Sequence, residues 1–473
     1  MELPLPLTPI PNLIQLAIQE HKNAVALKPS LQAQIQNYKE RLGKIESELF
    51  KNKPECDIDL NISPSGLRKN ILKKYLTDSF YNGNVLKIAR CIFNSIIFQV
   101  PGQTEYFNHY KIKYWMKLTS IGQGSFGQAY IGNIKNNMDV IIKSQKNPGD
   151  KSLFHEVFIG VFVANQLREA GNLNFSYVYG GFSCSHPVQL QKKTPVTWCD
   201  ASSENFYAGY EKIPGKALST FISRLSSLEF LNILTQLTLS LQNAFERFKF
   251  THYDLHADNI IMREISPKQL VYKVFGTEFY LTTNAIATMI DYGFAIAVLN
   301  GDAFVSPYIY TPGFIEGPYP LSDIFTILLS CYEHAMGTNP ILMSDIKKYL
   351  SFFTTQNPED MVAVFGKYKI MKKIPPIEQF LRATPKDFFE FLVNGFGANM
   401  GFLSQTPVNP LICTDLICEP LSETVRRTLD LSKIPDDPFA FCRLNVNWVS
   451  MFKNSKLDNL DINVDKAFPG IFS

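Results

Sequence analysis

The chain has 473 residues, 45% of them hydrophobic and 19% charged, with a formal net charge of +3 at pH 7. That length leaves room for two or three domain-sized units, and the composition excludes a disordered or fibrous chain. The near-neutral balance gives no support for bulk nucleic-acid binding, and 37 Phe residues supply rings for a large core.

Residues 1–110 read as an N-terminal helical extension. The first thirty residues carry Pro4, Pro6, Pro9 and Pro11 and lack the basic start of a secretory signal. Glu2 stands where myristoylation needs Gly, and the last four residues, Gly470 to Ser473, hold no prenylation Cys. No apolar run reaches the ~20 residues of a membrane span. A soluble intracellular protein is expected. Eight scattered Cys without a CxxC pair are expected to be buried reduced thiols. Leu31, Ile35, Tyr38, Leu42, Ile45 and Leu49 fall on one helical stripe, with Ser30 as cap and Pro54 beyond its end. That helix packs on its own protein or docks a protein partner. A second helical stretch, Gly66–Leu76, carries Arg68, Lys69, Lys73 and Lys74 as a solvated face.

From Lys111 the pattern shortens to alternating runs with Gly turns, which predicts strands. Strands are expected at Tyr114–Ile121, Gln128–Gly132, Met138–Ser144, Tyr177–Ser183 and Phe206–Ile213, forming a five-stranded sheet, with a helix at Lys151–Glu169. Beyond Gly215 the chain turns helical, and Leu228–Phe250 reads as a buried helix leading into His252. The expected fold class is α+β. Residues 111–215 form a small β-rich lobe, and 216–473 form a large helical lobe with a C-terminal helical extension.

Four motifs follow one another in order. The first is Gly122, Gln123, Gly124, Ser125, Phe126, Gly127, with Ala129 just beyond. Gly lets a backbone approach phosphates closely and aim its N–H groups at them. A dinucleotide fold places such glycines before a helix, whereas here a strand follows. Lys143 ends an apolar strand and supplies a cation for nucleotide phosphates, with Glu156 on the next helix as its anionic partner and Glu169 as the alternative. In His252–Asn259, Asp254 is the candidate catalytic base and Asn259 a neutral oxygen ligand for Mg²⁺. Asp291 adds a carboxylate bridging metal and phosphates. Taken singly, His252 could be a core residue, Asp254 a helix cap and Asp291 a turn residue. That reading leaves the ordered series unexplained.

The text at 122–127, Tyr253 to Met262 and Ile290 to Ala295 resembles the protein-kinase superfamily over about residues 114–340. Within it, the chain looks similar to the serine/threonine-protein kinases of large insect DNA viruses, of ascovirus and iridovirus type. The resemblance implies a bilobal fold, ATP and Mg²⁺ as cofactors and a protein substrate. It also implies adenine contacts from the backbone around Tyr210, Glu211, Lys212 and Ile213, with Tyr210 deepest. The chain departs from the pattern in several places. Tyr253 replaces the Arg that pairs with a phosphorylated activation loop, His256 replaces a Lys, and no Ala-Pro-Glu follows. Asn259 and Asp291 are separated by an insertion around Leu270–Leu281 expected to form a β-hairpin, and Asp323 resembles the Asp that braces the catalytic loop. Three functions are weighed: a serine/threonine protein kinase, a kinase-fold enzyme acting on a small molecule or lipid, and a kinase-like scaffold.

Overall fold

The computed structural model describes residues 116–123, 127–134, 138–145, 152–184, 195–196, 198–199, 205–299, 302–304, 306, 318–353, 357–360, 362 and 383–406. The Leu31–Leu49 stripe, the Gly66–Leu76 helix and the C-terminal extension past residue 406 lie outside them. The fold is α+β with antiparallel sheets. It divides into two compact units. One draws its described residues from Leu42–Gly171 and Ser176–Lys212, the other from Asn172–Phe175 and Ile213–Pro410.

The first unit is built on strands β1 (Met116–Gln123), β2 (Gly127–Ile134), β3 (Met138–Gln145), β4 (Val178–Cys184), β5 (Pro195–Val196) and β6 (Asn205–Glu211). Their order is β4-β6-β3-β2-β1-β5, so the sheet has six strands rather than the expected five. The extra strand is two residues long, below the length at which alternation can be read. In β3, Val140 and Ile142 have no exposure while Asp139 lies exposed on the other face, the period-two pattern of a strand covered on one side. All seven residues of β6 are buried, which fits its inner position.

One helical run follows β3: α1 (Ser152–Ile159), a π-helical turn (Gly160–Ala164) and α2 (Asn165–Glu169). The sequence predicts one regular helix here. The π turn adds a residue to one turn, which apolar spacing does not reveal. Gly160 sits where a Cβ would come within 2.2 Å of Val178 Cγ2, so only glycine lets the helix pass this close to β4. The thiol expectation is corrected in part. Cys331 is a buried free thiol, but Cys199 is disulfide-bonded. Pairing depends on approach in space, which spacing along the chain does not report.

The second unit begins with β7 (Lys216–Ala217) and the long helix α3 (Ser227–Phe248). Ser226 and Glu229 close a reciprocal capping box at the start of α3, and Lys249 ends it in the left-handed region at φ 48°. Then come β8 (Ile260–Val274), β9 (Thr277–Met289), β10 (Ala297–Leu299), β11 (Asp302–Phe304), α4 (Pro320–Ala335), α5 (Pro340–Leu350), α6 (Pro385–Phe396) and β12 (Leu403–Ser404). The sheet order is β12-β9-β8-β7. The expected insertion hairpin is present and longer than predicted. It begins directly after Asn259 and ends two residues before Asp291, closing through Phe275 at φ 56° and Gly276 at φ 70°.

A buried polar cluster fixes the base of this hairpin. Asn174 Nδ2 donates to Gln236 Oε1 (3.1 Å) and to the Ala287 carbonyl (2.7 Å), while Asn174 Oδ1 accepts from Ser240 (2.8 Å) and Tyr272 (2.7 Å). The Asn174 carbonyl accepts the Met289 N–H at 2.7 Å. Buried polar groups are tolerated where they are paired in this way. Aromatic packing closes the far side, where Phe352 and Phe353 meet Phe388 of α6 at ring separations of 5.2 and 5.5 Å.

Candidate active site

The candidate residues form two groups, one in each unit. In the first unit, β1 and β2 flank the glycine cluster, and their register shifts between Ser120 and Gly122. Gly124, Ser125 and Phe126 lie outside the described residues, as does the side chain of Gln123. Gly122 is open, with nothing within 4 Å of a would-be Cβ. Gly127 is closed, because a Cβ there would come within 2.2 Å of the Ser144 carbonyl oxygen. Ala129 pairs with Lys143 across β2 and β3, and Lys143 pairs with Ala208 on β6.

Lys143 Nζ donates to Glu156 Oε1 at 2.6 Å, with side-chain exposures of 25% and 7%. A partly buried carboxylate opposite an ammonium holds a long, flexible chain in one place. Glu169, the other carboxylate considered, accepts the Tyr177 hydroxyl at 2.7 Å. The Lys143 ammonium also lies 5.2 Å from the Tyr210 ring centre, a cation–π distance. Glu211 is buried. Its N–H donates to the Tyr177 carbonyl at 2.9 Å, so that donor is committed within the fold. Ile213 is half-buried just past the end of β6.

In the second unit, the segment after α3 carries the other candidates. Thr251 and Ile296 exchange backbone hydrogen bonds of 3.1 and 2.8 Å. His252 has no exposure. Its Nε2 lies 2.9 Å from the Ile290 carbonyl, and its Nδ1 accepts the Asp254 N–H at 3.4 Å. These roles are consistent only with a neutral ring protonated on Nε2. Burial pushes its pKa down to about 4, against the opposing pull of the Ile290 carbonyl and Asp291.

Asp323 on α4 is fully buried. Its Oδ2 accepts the His252 N–H and its Oδ1 the Tyr253 N–H, both at 2.7 Å. Burial pushes its carboxyl up to about 7, although these two N–H groups favour the charged form. The braced backbone is strained, with Tyr253 at φ 60° and Asp291 at φ 68°. Such angles in non-glycine residues persist where the surroundings over-determine them.

Asn259 closes the loop. Its Nδ2 donates to the Asp254 carbonyl at 2.8 Å, and its own carbonyl accepts the Ile290 N–H at 3.0 Å. The amide nitrogen is therefore turned inward, and Oδ1 is the side-chain atom that could ligate a cation. One hydrogen bond thus ties Asn259 to the residue preceding Asp291, at the two ends of one hairpin. A neutral amide oxygen and a carboxylate suit a hard cation such as Mg²⁺, which usually takes one or two protein ligands and completes its shell from phosphates and water. Among the described residues no cluster of three or more His, Cys, Asp or Glu could hold a metal unaided. His256 caps the short turn Ala257–Asn259 by accepting the Asp258 N–H at 3.3 Å, and Ser330 accepts the Ala257 N–H at 3.1 Å.

Sequence reasoning missed several supporting residues, including Asn165, Arg168, Asn174 and Ser330. The only signal was polar residues interrupting otherwise apolar stretches, and such residues more often face solvent. Among the described residues, no helix is long and apolar enough to cross a membrane.

Comparison with known proteins finds no matching family model. A protein of Invertebrate iridescent virus 3 named as a probable kinase is 27% identical over 254 residues, 53% of this chain and 45% of that protein. A protein of Invertebrate iridescent virus 6 named as a probable serine/threonine-protein kinase is 26% identical over 204 residues, 38% of this chain and 37% of that protein. The matches therefore span less than half the length of each relative. The chain is related to kinase-like proteins of large insect DNA viruses.

Proposed function

We propose that this chain is an ATP- and Mg²⁺-dependent serine/threonine protein kinase with a bilobal kinase-like fold. The observation that carries the reading is the loop in which one neutral imidazole, one buried carboxylate and one amide hold the backbone of His252–Asp254 and tie Asn259 to Ile290, the residue before Asp291. The named relatives support the same reaction class.

In this reading, Lys143, held by Glu156, neutralises nucleotide phosphates. Asn259 Oδ1 and the Asp291 carboxylate would hold Mg²⁺. When bound, that ion supplies charge neutralisation on the phosphates. Asp254 orients the acceptor hydroxyl and takes up its proton as the bond from that oxygen to the γ-phosphorus forms and the bond from the γ-phosphorus to the departing ADP oxygen breaks. His252, kept neutral by burial, fixes the Asp254 N–H and the Ile290 carbonyl without adding a competing cation.

A second reading, transfer to a small molecule or lipid, is favoured by His256 standing where kinases acting on proteins commonly carry Lys. Incubating the chain with γ-labelled ATP, Mg²⁺ and cell extract decides between the two. Label on protein Ser or Thr, lost in Asp254→Asn, supports the first. Label confined to small molecules or lipid replaces it with the second.

A further inference from the structure

The turn that carries Asp291 is held from two directions. On its N-terminal side, the Met289 N–H donates to the Asn174 carbonyl at 2.7 Å and the Ile290 N–H to the Asn259 carbonyl at 3.0 Å. The Tyr292 ring is buried, with its centre 5.8 Å from that of His252, 6.4 Å from Phe175 and 6.5 Å from Phe250. Its hydroxyl donates to the Met289 carbonyl at 3.2 Å. On the C-terminal side, the Ala295 N–H closes the turn on the Tyr292 carbonyl at 3.1 Å, and Ile296 pairs with Thr251. The chain then runs out along β10, back along β11, and brings Ser306 to the turn. The Ser306 side chain is buried, and its hydroxyl donates to the Gly293 carbonyl at 2.6 Å, thirteen residues back along the chain.

A satisfied buried hydroxyl is ordinary by itself. What gives this bond a role is the acceptor, two residues from Asp291. Asp291 sits at φ 68°, a region that residues with a side chain keep only where their surroundings hold them. Gly293 has no Cβ, so its own dihedrals offer little resistance to rotation. A hydrogen bond to its carbonyl fixes the plane of the peptide that follows it. With the Tyr292 ring packed among three others and that peptide plane fixed beyond it, the segment 291–293 is clamped. The Asp291 backbone, and with it the carboxylate, is kept in one setting.

We propose that Ser306 is a positioning residue for the metal site. Acting through the Gly293 carbonyl, it holds Asp291 where its carboxylate and Asn259 Oδ1 can take the same cation. This inference rests on the Mg²⁺-binding reading above. Its signature is a loss confined to the metal-dependent part of nucleotide binding, which a general loss of packing would not produce.

The test uses the full chain, with ATP titrated by calorimetry in excess Mg²⁺ and in EDTA, and thermal unfolding measured alongside. The ratio of the two affinities reports the contribution of the metal. In Ser306→Ala that ratio is expected to fall about tenfold, as loss of an outer group that orients a metal ligand commonly costs. The affinity in EDTA should stay within about twofold of wild type. Asp291→Asn, which alters the carboxylate itself, should show the same split at greater size. Ser306→Cys keeps a weak donor and should fall between alanine and wild type; should the alanine variant not fold, the cysteine variant alone should show the split. A wild-type ratio in folded Ser306→Ala, or equal weakening of both affinities, overturns the inference while leaving the kinase reading intact. If neither Ser306 variant folds, the residue serves folding and the positioning role is lost. A wild-type chain that binds ATP no better in Mg²⁺ than in EDTA overturns the metal reading, and the positioning role falls with it.

Discussion

The two groups of candidate residues are held by different means. Lys143 is held through its side chain, by an ion pair with Glu156 between a quarter-exposed ammonium and a nearly buried carboxylate and by the Tyr210 ring at 5.2 Å. The segment from His252 to Asn259 is held by backbone. Asp323 takes two consecutive N–H groups, His252 bridges to Ile290, and Asn259 ties back to Asp254 and on to Ile290. Side-chain contacts suit a long, flexible group that can adjust to a ligand. An over-determined loop suits groups whose spacing sets the reaction geometry.

The comparison is broken most sharply at Asp254. Asp254→Asn should reduce phosphoryl transfer by about 10²–10⁴-fold, the usual worth of a positioned base, while the unfolding midpoint stays near wild type. The Asp254 backbone helps to shape the loop, its N–H bonded to His252 and its carbonyl to Asn259, and the substitution keeps both groups. Single-turnover transfer and thermal unfolding measured together check this, and retained turnover would place the base elsewhere.

Next in size is the Lys143–Glu156 pair. Alanine at either position should lower activity strongly, and the double variant should lose little more than the worse single one. The coupling should be about 0.5–3 kcal/mol, as for residues in direct contact. A double-mutant cycle on kcat/KM measures it. Strictly additive losses would mean that Glu156 does not hold Lys143 in the working state.

The braced loop carries a smaller, pH-dependent signature in stability. His252 is depressed to about 4 from 6.5, so below pH 6.5 the unfolded chain binds the proton more readily, and stability falls as pH drops toward 4. Asp323 is raised to about 7 from 3.8, so the folded chain holds that proton more tightly, and stability from this group rises as pH falls through the same range. The two slopes oppose each other. Asp323→Asn should therefore leave the His252 slope uncovered, giving a steeper acid loss between about pH 6.5 and 4. Urea midpoints across that range for wild type and variant test this, and parallel curves would refute it.

The smallest expected effect is none at all. Activity should survive phosphatase treatment, because Tyr253 stands where the resemblance leads one to expect the Arg that pairs with a phosphorylated segment. The Tyr253 phenol, mostly buried and pushed well above its ordinary pKa by that burial, is hydrogen-bonded to the Tyr319 backbone, and it cannot form a guanidinium–phosphate pair. Ser306 in the following segment is already buried, donating to the Gly293 carbonyl at 2.6 Å. Loss of activity on dephosphorylation, with rescue by rephosphorylation, would show a switch that Tyr253 does not replace.

Much of the first unit was legible in advance. Strands β1 to β4 and β6, like the helix α3 of the second unit, were foreseen within a few residues, because each buries one face or a continuous run and so writes its period into the sequence. The two-residue β5, the π turn at Gly160 and the full length of the β8–β9 hairpin were not. Those features answer to close approach and register with distant segments, as the 2.2 Å limit between Gly160 and Val178 illustrates.

The sequence by itself determined which chemistry is present: an ammonium at Lys143, carboxylates at Glu156, Asp254 and Asp291, an amide at Asn259, and glycines where backbone must approach closely. Residue type and order carry that information, because the functional groups a side chain offers do not depend on how it is held. Only the tertiary structure decided which carboxylate holds Lys143, that Asn259 turns its nitrogen inward, and that Asn165, Arg168, Asn174 and Ser330 are structural partners rather than surface residues. Those outcomes depend on hydrogen bonds between residues up to 113 positions apart. Burial makes each such bond obligatory, and nothing local in the sequence records the partner.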